Sequence, residues 1–181
     1  MKKRNRNNRL FKRPLSILLP LLFLVLILFF IFIPFQKSVV FYYENTDTLL
    51  AYLPLEKNHT FQIKYTHSIH LSDVVETYEA TNKGEIRQTE LEFEDFAIGM
   101  PANAGQGEKF VKEDGKYYIK NMNRVFPYID LKVGQVRANH RLIVNGQEYE
   151  MKSFVKPGTW VRIDIEKLSF WKRMKGVNIH E

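Results

Sequence analysis

The stretch TFQIKYTHSIHLSDVVETYEAT, residues 60–81, indicates the fold of this chain. In its first half, apolar and polar residues alternate, so that Phe61, Ile63 and Tyr65 share one face. Alternation with a period of two is typical of a β-strand that buries one face. The second half, residues 73–81, is also strand-like. The stretch therefore predicts two antiparallel strands that turn between His70 and Ser72.

Similar runs continue along the chain, and turn-forming residues separate them. Asn-Gly and Asp-Gly between alternating runs are strong signals for two-residue hairpin turns. We predict an all-β domain, a β-sandwich or barrel of eight to ten short antiparallel strands. The predicted turns lie at residues 82–84, 114–115, 145–146 and 157–158.

A segment of another kind precedes the β pattern. Residues 15–35 carry no charge, and a helix of this length would span about 31 Å, close to the thickness of a bilayer's hydrocarbon core. Residues 1–14 contain seven basic residues and no acidic one. Basic flanks stay in the cytoplasm, so we expect a single-pass cell-membrane protein whose N-terminus is cytoplasmic and whose residues 38–181 form an extracytoplasmic domain. A cleaved secretory signal is the alternative, but its apolar region would be shorter and followed by small residues.

The net charge follows from this organisation. The chain has 27 basic and 20 acidic residues, and the seven basic residues of segment 1–14 account for the whole excess. The remainder is balanced at 20 against 20, so the high pI does not indicate nucleic-acid binding. The absence of cysteine excludes disulfides and thiolate metal sites. The C-terminal residues 168–181 would add a helical turn at the lipid interface or form a frayed tail.

The run of residues 60–81 also contains an unusual polar set. The alternation directs His67 towards the core, where an unpaired polar group costs about 1–3 kcal/mol. Glu76 on the returning strand is the candidate partner, and a cross-strand His–Glu pair would raise the pKa of the histidine. Tyr78 shares the face of Glu76, and Ser68 is placed to cap the turn.

Three elements of the sequence resemble the DUF1850 family. The first is Thr66-His67-Ser68-Ile69 followed by Glu76 and Tyr78, and the second is the segment 96–101 with its Gly and Pro. The third is Asn123-Arg124-Val125-Phe126, followed by His140-Arg141-Leu142. The resemblance covers residues 39–166. It implies one polar cluster, for binding or for structure, that consists of His67, Ser68, Glu76, Tyr78, Gly99, Pro101 and His140.

The resemblance implies no established activity. Members of the family are thought to accompany TRAP-type transporters of the TAXI class, which take up small organic anions with a solute-binding protein. We therefore expect an accessory domain, not an enzyme, that binds no cofactor. Its expected partners are the lipid bilayer and either a TRAP permease or a TAXI solute-binding protein.

Two other functions are possible from the residue types. A small-ligand or metal-binding module ranks second, because His67, His70, Glu76 and His140 are of the types that bind zinc. However, residues three apart on a strand point to opposite faces, which disfavours His67 and His70 as joint ligands, and we expect no metal. A hydrolase ranks third, since Ser68 faces away from His67 on a strand and no nucleophile-elbow motif is present.

Overall fold

A computed structural model describes residues 12–56, 59–95 and 100–180 of the chain, with side chains from residue 17 onwards. The first element is a helix, α1, which extends from Lys12 to Phe32 and contains Pro20. The described side chains of α1 are nearly all apolar and exposed. Within the described ranges, no helix combines the length and the apolar character that a bilayer crossing requires.

The rest of the described chain is predominantly β-structure. Two short helices interrupt it, a 3₁₀ helix at Met151–Ser153 and α2 at Phe170–Arg173. The strands are β1 Pro34–Tyr43, β2 Leu49–Pro54, β3 Thr60–Thr66, β4 Asp73–Ala80, β5 Ile86–Phe93, β6 Lys109–Glu113, β7 Lys116–Lys120, β8 Arg124–Phe126, β9 Ile129–Lys132, β10 Arg141–Val144, β11 Gln147–Glu150, β12 Trp160–Ser169 and β13 Val177–Asn178.

These strands form two open sheets. Sheet A has five strands in the order β13-β2-β1-β12-β9, and sheet B has eight, in the order β11-β10-β3-β4-β5-β7-β6 with β8 paired to β5. All pairs are antiparallel except β13 with β2, which is parallel. The prediction of an all-β domain is confirmed. Of the two architectures predicted, the two sheets match the sandwich and not the closed barrel.

The number of strands predicted was too low, because thirteen are present in the described ranges. The prediction missed β2, β8, β9 and β13. The sequence of β2 is LLAYLP, a continuous apolar run that does not alternate, because both faces of this strand are covered. The other three are two to four residues long, too short for a periodic pattern.

The predicted hairpin turns are confirmed. Asp114 and Gly115 have φ angles of 50° and 80°, and Asn145 and Gly146 have φ angles of 52° and 78°. Positive φ at both central residues matches the right-handed twist of the flanking strands. These turns connect β6 to β7 and β10 to β11.

The main core lies between the two sheets. Phe41 and Ile163 of sheet A belong to the same buried cluster as Phe61, Ile63 and Leu142 of sheet B. A second cluster extends under the β5–β7 side of sheet B, where Met100 and Ala104 from the loop after β5 pack against it. Apolar burial on this scale is the main source of the fold's stability.

The helix α1 defines one end of the sandwich. β1 begins two residues after α1 ends. The ammonium group of Lys37 on β1 donates to the carbonyl oxygens of Ala80 at 3.1 Å and Thr81 at 2.8 Å, so the last residue of β4 lies at this end. Since β3 and β4 are antiparallel, the loop between them, residues 67–72, lies at the opposite end, called the far end below.

Candidate functional site

His67 shapes the loop at the far end. Its backbone N–H donates to the carbonyl oxygen of Ser72 at 2.8 Å, and its carbonyl oxygen accepts from the N–H of Leu71 at 3.0 Å. Its ring nitrogen Nδ1 accepts from the N–H of Ile69 at 3.4 Å. With Nδ1 as an acceptor, the proton of the neutral ring is on Nε2. The side chain and backbone of His67 together hold the loop in one conformation.

This loop presents apolar side chains to solvent. Ile69 and Leu71 are each 63% exposed, and Val136, in the segment between β9 and β10, is 90% exposed. The two segments are joined by hydrogen bonds: the N–H of Thr66 donates to the carbonyl oxygen of Ala138 at 2.8 Å, and Arg137 donates to that of Ser68 at 3.1 Å. We call Ile69, Leu71 and Val136 the far-end patch.

The backbone of Leu71 is strained. Its φ angle is +59°, in the left-handed region that residues other than glycine and asparagine rarely adopt. Its side chain is exposed, so burial does not offset this cost. The conformation of Leu71 therefore does not contribute to the stability of the fold. Strained backbone and exposed apolar side chains are both more frequent at functional sites.

Glu76 lies on the inward face of sheet B. It pairs with Ile63 on β3 and Leu91 on β5, and the same row continues to Leu142 and Ile119. Its carboxylate accepts a hydrogen bond from the hydroxyl of Tyr78 at 2.9 Å. Burial raises the pKa of Glu76, and the Tyr78 hydroxyl partly opposes this by stabilising the charged form.

The predicted pair of His67 and Glu76 is not formed. β3 ends at Thr66, so His67 belongs to the loop, and the residue opposite Glu76 is Ile63. No hydrogen bond or ion pair joins the two side chains in the part of the chain that is described. The prediction applied the alternation to all of residues 60–69, although the strand ends at Thr66. His67 lies in the turn, so the inward direction that the alternation predicts does not apply to it.

Tyr65 lies near Glu76 and Tyr78, and His140 lies beside Tyr65. We call these four residues the inner polar cluster. Burial and the charge of Glu76 raise the pKa of Tyr65 to about 12, and its ring lies 5.7 Å from that of His140. Nδ1 of His140 accepts from the N–H of Gly134 at 3.0 Å. Burial lowers the pKa of His140, which favours the neutral ring.

The remaining predicted residues have different positions. Gly99 lies outside the described residues. Pro101 is half-buried, next to Met100, which packs against the same buried cluster as Tyr65. The side chain of Ser68 is exposed at the far end, and its carbonyl oxygen accepts from Arg137. The structure therefore places His67 and Ser68 in the far-end loop, and Glu76, Tyr78 and His140 in the inner polar cluster.

The described residues contain no group of three or more His, Cys, Asp or Glu side chains that could hold a metal ion. The rings of His67 and His70 are 5.7 Å apart because the loop turns, in contrast to the opposite directions expected for a strand. The sequence reasoning missed Ile69, Leu71, Val136 and Tyr65 as members of a site. The signal for Ile69 and Leu71 was an apolar pair inside a polar turn, SIHLS.

The described chain is thus a two-sheet β-sandwich that follows an apolar helix. The chain belongs to the DUF1850 family, described as a domain of unknown function, whose model matches residues 61–151. No curated protein and no solved structure matches the chain. The match is narrower than the resemblance over 39–166. It covers the strands of sheet B, from β3 to β11, together with β9 of sheet A. Both the far-end loop and the inner polar cluster lie within it.

Proposed function

We propose that this chain is a membrane-anchored accessory protein whose extracytoplasmic domain binds a protein of a TRAP/TAXI-type uptake system. The observation that carries the proposal is the far-end patch, because exposed apolar residues on a strained loop are typical of a surface that another protein covers. His67, which marks the family element, shapes this loop through its backbone and ring hydrogen bonds.

The membrane anchor is supported by the sequence. Residues 15–35 are uncharged, and seven basic residues precede them. The connection between α1 and β1 is one residue, Ile33, so the domain would lie directly against the bilayer. The far-end patch would then face away from the lipid, towards proteins that bring solute to the membrane.

The partner is proposed to be a TAXI solute-binding protein or a TRAP permease. The exposed residues His70 and Arg137 are next to the patch residues in the chain, and polar groups beside apolar ones are typical of protein–protein interfaces. The three exposed side chains of the far-end patch form a small surface, so we expect a weak contact between the anchored domain and a partner that exchanges.

Co-purification tests this function. The full-length chain, tagged and extracted in mild detergent, is expected to retain the TRAP permease or the TAXI solute-binding protein of its own cell. Ile69→Asp and Leu71→Asp are expected to lower the retained partner about tenfold, because each places a charge at the centre of the contact. Val125→Asp is the matched control, since Val125 is 48% exposed on β8. A complex without either transport protein, or equal retention by all three variants, would refute the proposal.

A small-ligand site is the second candidate, and the inner polar cluster favours it. Glu76 interrupts a row of apolar residues, and a carboxylate with a raised pKa inside a fold is a common feature of binding sites. A cationic or hydrogen-bonding ligand would offset the free-energy cost of burying the Glu76 carboxylate. A screen of small organic cations and divalent metals by thermal shift, with elemental analysis of the purified chain, tests this. Stabilisation that disappears in Glu76→Gln would support it, and no shift with any compound would exclude it.

A further inference from the structure

A second exposed apolar surface lies at the α1 end of the sandwich. Phe35, Phe170, Trp171 and Met174 are 53%, 52%, 45% and 58% exposed. Pro34 pairs with Ser169, so α2 begins where α1 ends. The rings of Phe32 on α1 and Trp171 on α2 are 5.8 Å apart. The exposed aromatic residues are thus continuous with the apolar surface of α1, and we call Phe35, Phe170, Trp171 and Met174 the collar.

Cations accompany the collar. The ammonium group of Lys175 lies 5.6 Å from the centre of the Trp171 ring, and the guanidinium group of Arg173 lies 6.0 Å from that of Phe35. Lys172 is held differently, since its ammonium group pairs with Glu166 at 2.5 Å. Aromatic rings with cations beside them are the residue types that proteins place where hydrocarbon meets lipid headgroups.

A basic cavity opens at the same end. Lys37, Lys83 and Lys167 line a cavity of about 590 Å³ together with His59, and Glu166 is the acidic residue of its lining. Nδ1 of His59 is buried and has no hydrogen-bond partner in the described part of the chain. Burial and the neighbouring Lys167 lower the pKa of Lys37. An anion bound in the cavity would stabilise the charged form of this lysine.

We propose that the α1 end of the domain is a lipid-binding face: the collar enters the interface of the bilayer, and the lysine-lined cavity receives the phosphate group of an anionic phospholipid. The inference rests on the proposed membrane anchor and adds to it. The anchor alone would fix the chain in the membrane, whereas this face also fixes the orientation of the sandwich against it. The charges on this face are complementary to anionic headgroups, and the collar is complementary to the apolar layer beneath them.

The two tryptophans of the chain provide the test. Trp171 is in the collar, and Trp160 begins β12 at its other end, about 30 Å away for nine strand steps. Trp160→Phe leaves Trp171 as the only tryptophan, and Trp171→Phe leaves Trp160. Each full-length variant is reconstituted into vesicles of phosphatidylcholine with phosphatidylglycerol, in which brominated acyl chains quench any tryptophan that reaches them.

We expect Trp171 to be quenched several-fold more strongly than Trp160. Lys83→Glu with Lys167→Glu, in the Trp160→Phe background, is expected to abolish any preference for phosphatidylglycerol over pure phosphatidylcholine. Flotation of the vesicles after alkaline extraction tests the anchor separately. If the chain floats but Trp171 and Trp160 are quenched equally, the lipid-binding face is refuted and the membrane anchor is not. Chain that does not float overturns both. Equal quenching of Trp171 in neutral and anionic vesicles overturns the assignment of the cavity.

Discussion

Tyr78→Phe isolates the hydrogen bond that Glu76 receives. The ring of Tyr78 is 4% exposed and stacks on Phe61 with centroids 5.4 Å apart, and phenylalanine retains this packing. The substitution removes the hydroxyl that lies 2.9 Å from the carboxylate. A hydrogen bond to a charged group contributes about 1.5–3 kcal/mol, so we expect a loss of about 2 kcal/mol in the free energy of unfolding at neutral pH. For a chain of this size, that corresponds to a decrease of roughly 4–8 °C in Tm.

The same variant has an expected pH dependence. Burial raises the pKa of Glu76, so the folded chain binds a proton there more readily than the unfolded chain. The associated stability is present below the unfolded pKa of 4.5 and is lost as pH rises through the folded pKa. Without the Tyr78 hydroxyl, the charged form is less stable still. The destabilisation by Tyr78→Phe should therefore be larger at pH 7 than at pH 4.

Urea unfolding of the full-length chain in detergent, followed by tryptophan fluorescence at both pH values, measures these differences. Tyr65→Phe is the matched control, because Tyr65 is half-buried on the same face and its hydroxyl makes no hydrogen bond within the described ranges. We expect the control to change the free energy of unfolding by less than about 0.5 kcal/mol. Equal destabilisation by Tyr78→Phe at the two pH values would refute the assigned role of Glu76.

Three further substitutions have defined outcomes. Phe41→Ala removes a side chain that is fully buried against Phe154 and should lower the free energy of unfolding by about 3–5 kcal/mol, measured by urea titration. Gly115→Val places a β-branched residue at φ +80° and should cost at least about 1–2 kcal/mol, seen as a lower Tm, whereas an unchanged Tm would contradict the turn geometry. Because burial lowers the pKa of His140, stability should fall as pH decreases below 6.5, and His140→Asn should flatten this dependence in thermal melts across pH 5–8.

The sequence predicted the parts of the fold that depend on local signals. The Asp114-Gly115 and Asn145-Gly146 turns follow from positive φ angles that few other residues adopt, and the alternation of residues 60–66 follows from one buried face. β2 has no such signal. Its two faces are covered by different parts of the chain, so burial there depends on tertiary packing that no local pattern encodes.

The pairing within the candidate site was not predictable from the sequence. His67 and Glu76 were predicted to pair, yet the partner of Glu76 is Tyr78 on the same strand. The error came from the length of one strand. β3 stops at Thr66, and the following residues form a six-residue loop in which Leu71 adopts a left-handed conformation. A change of one or two residues in a strand boundary redirects every side chain beyond it.

The pairing of β1 with β12 has a consequence for biogenesis. These partners are the first and the last long strands, and about 120 residues separate them. At 5–20 residues per second, β12 leaves the ribosome roughly 6–24 s after β1. During this interval the strands of sheet B can pair with one another, while its inward apolar face is not yet covered by the complete sheet A and β1 has no neighbour on the β12 side. The nascent chain therefore exposes unpaired strand edges and apolar surface until synthesis is nearly complete, which is the interval in which it is most prone to aggregate.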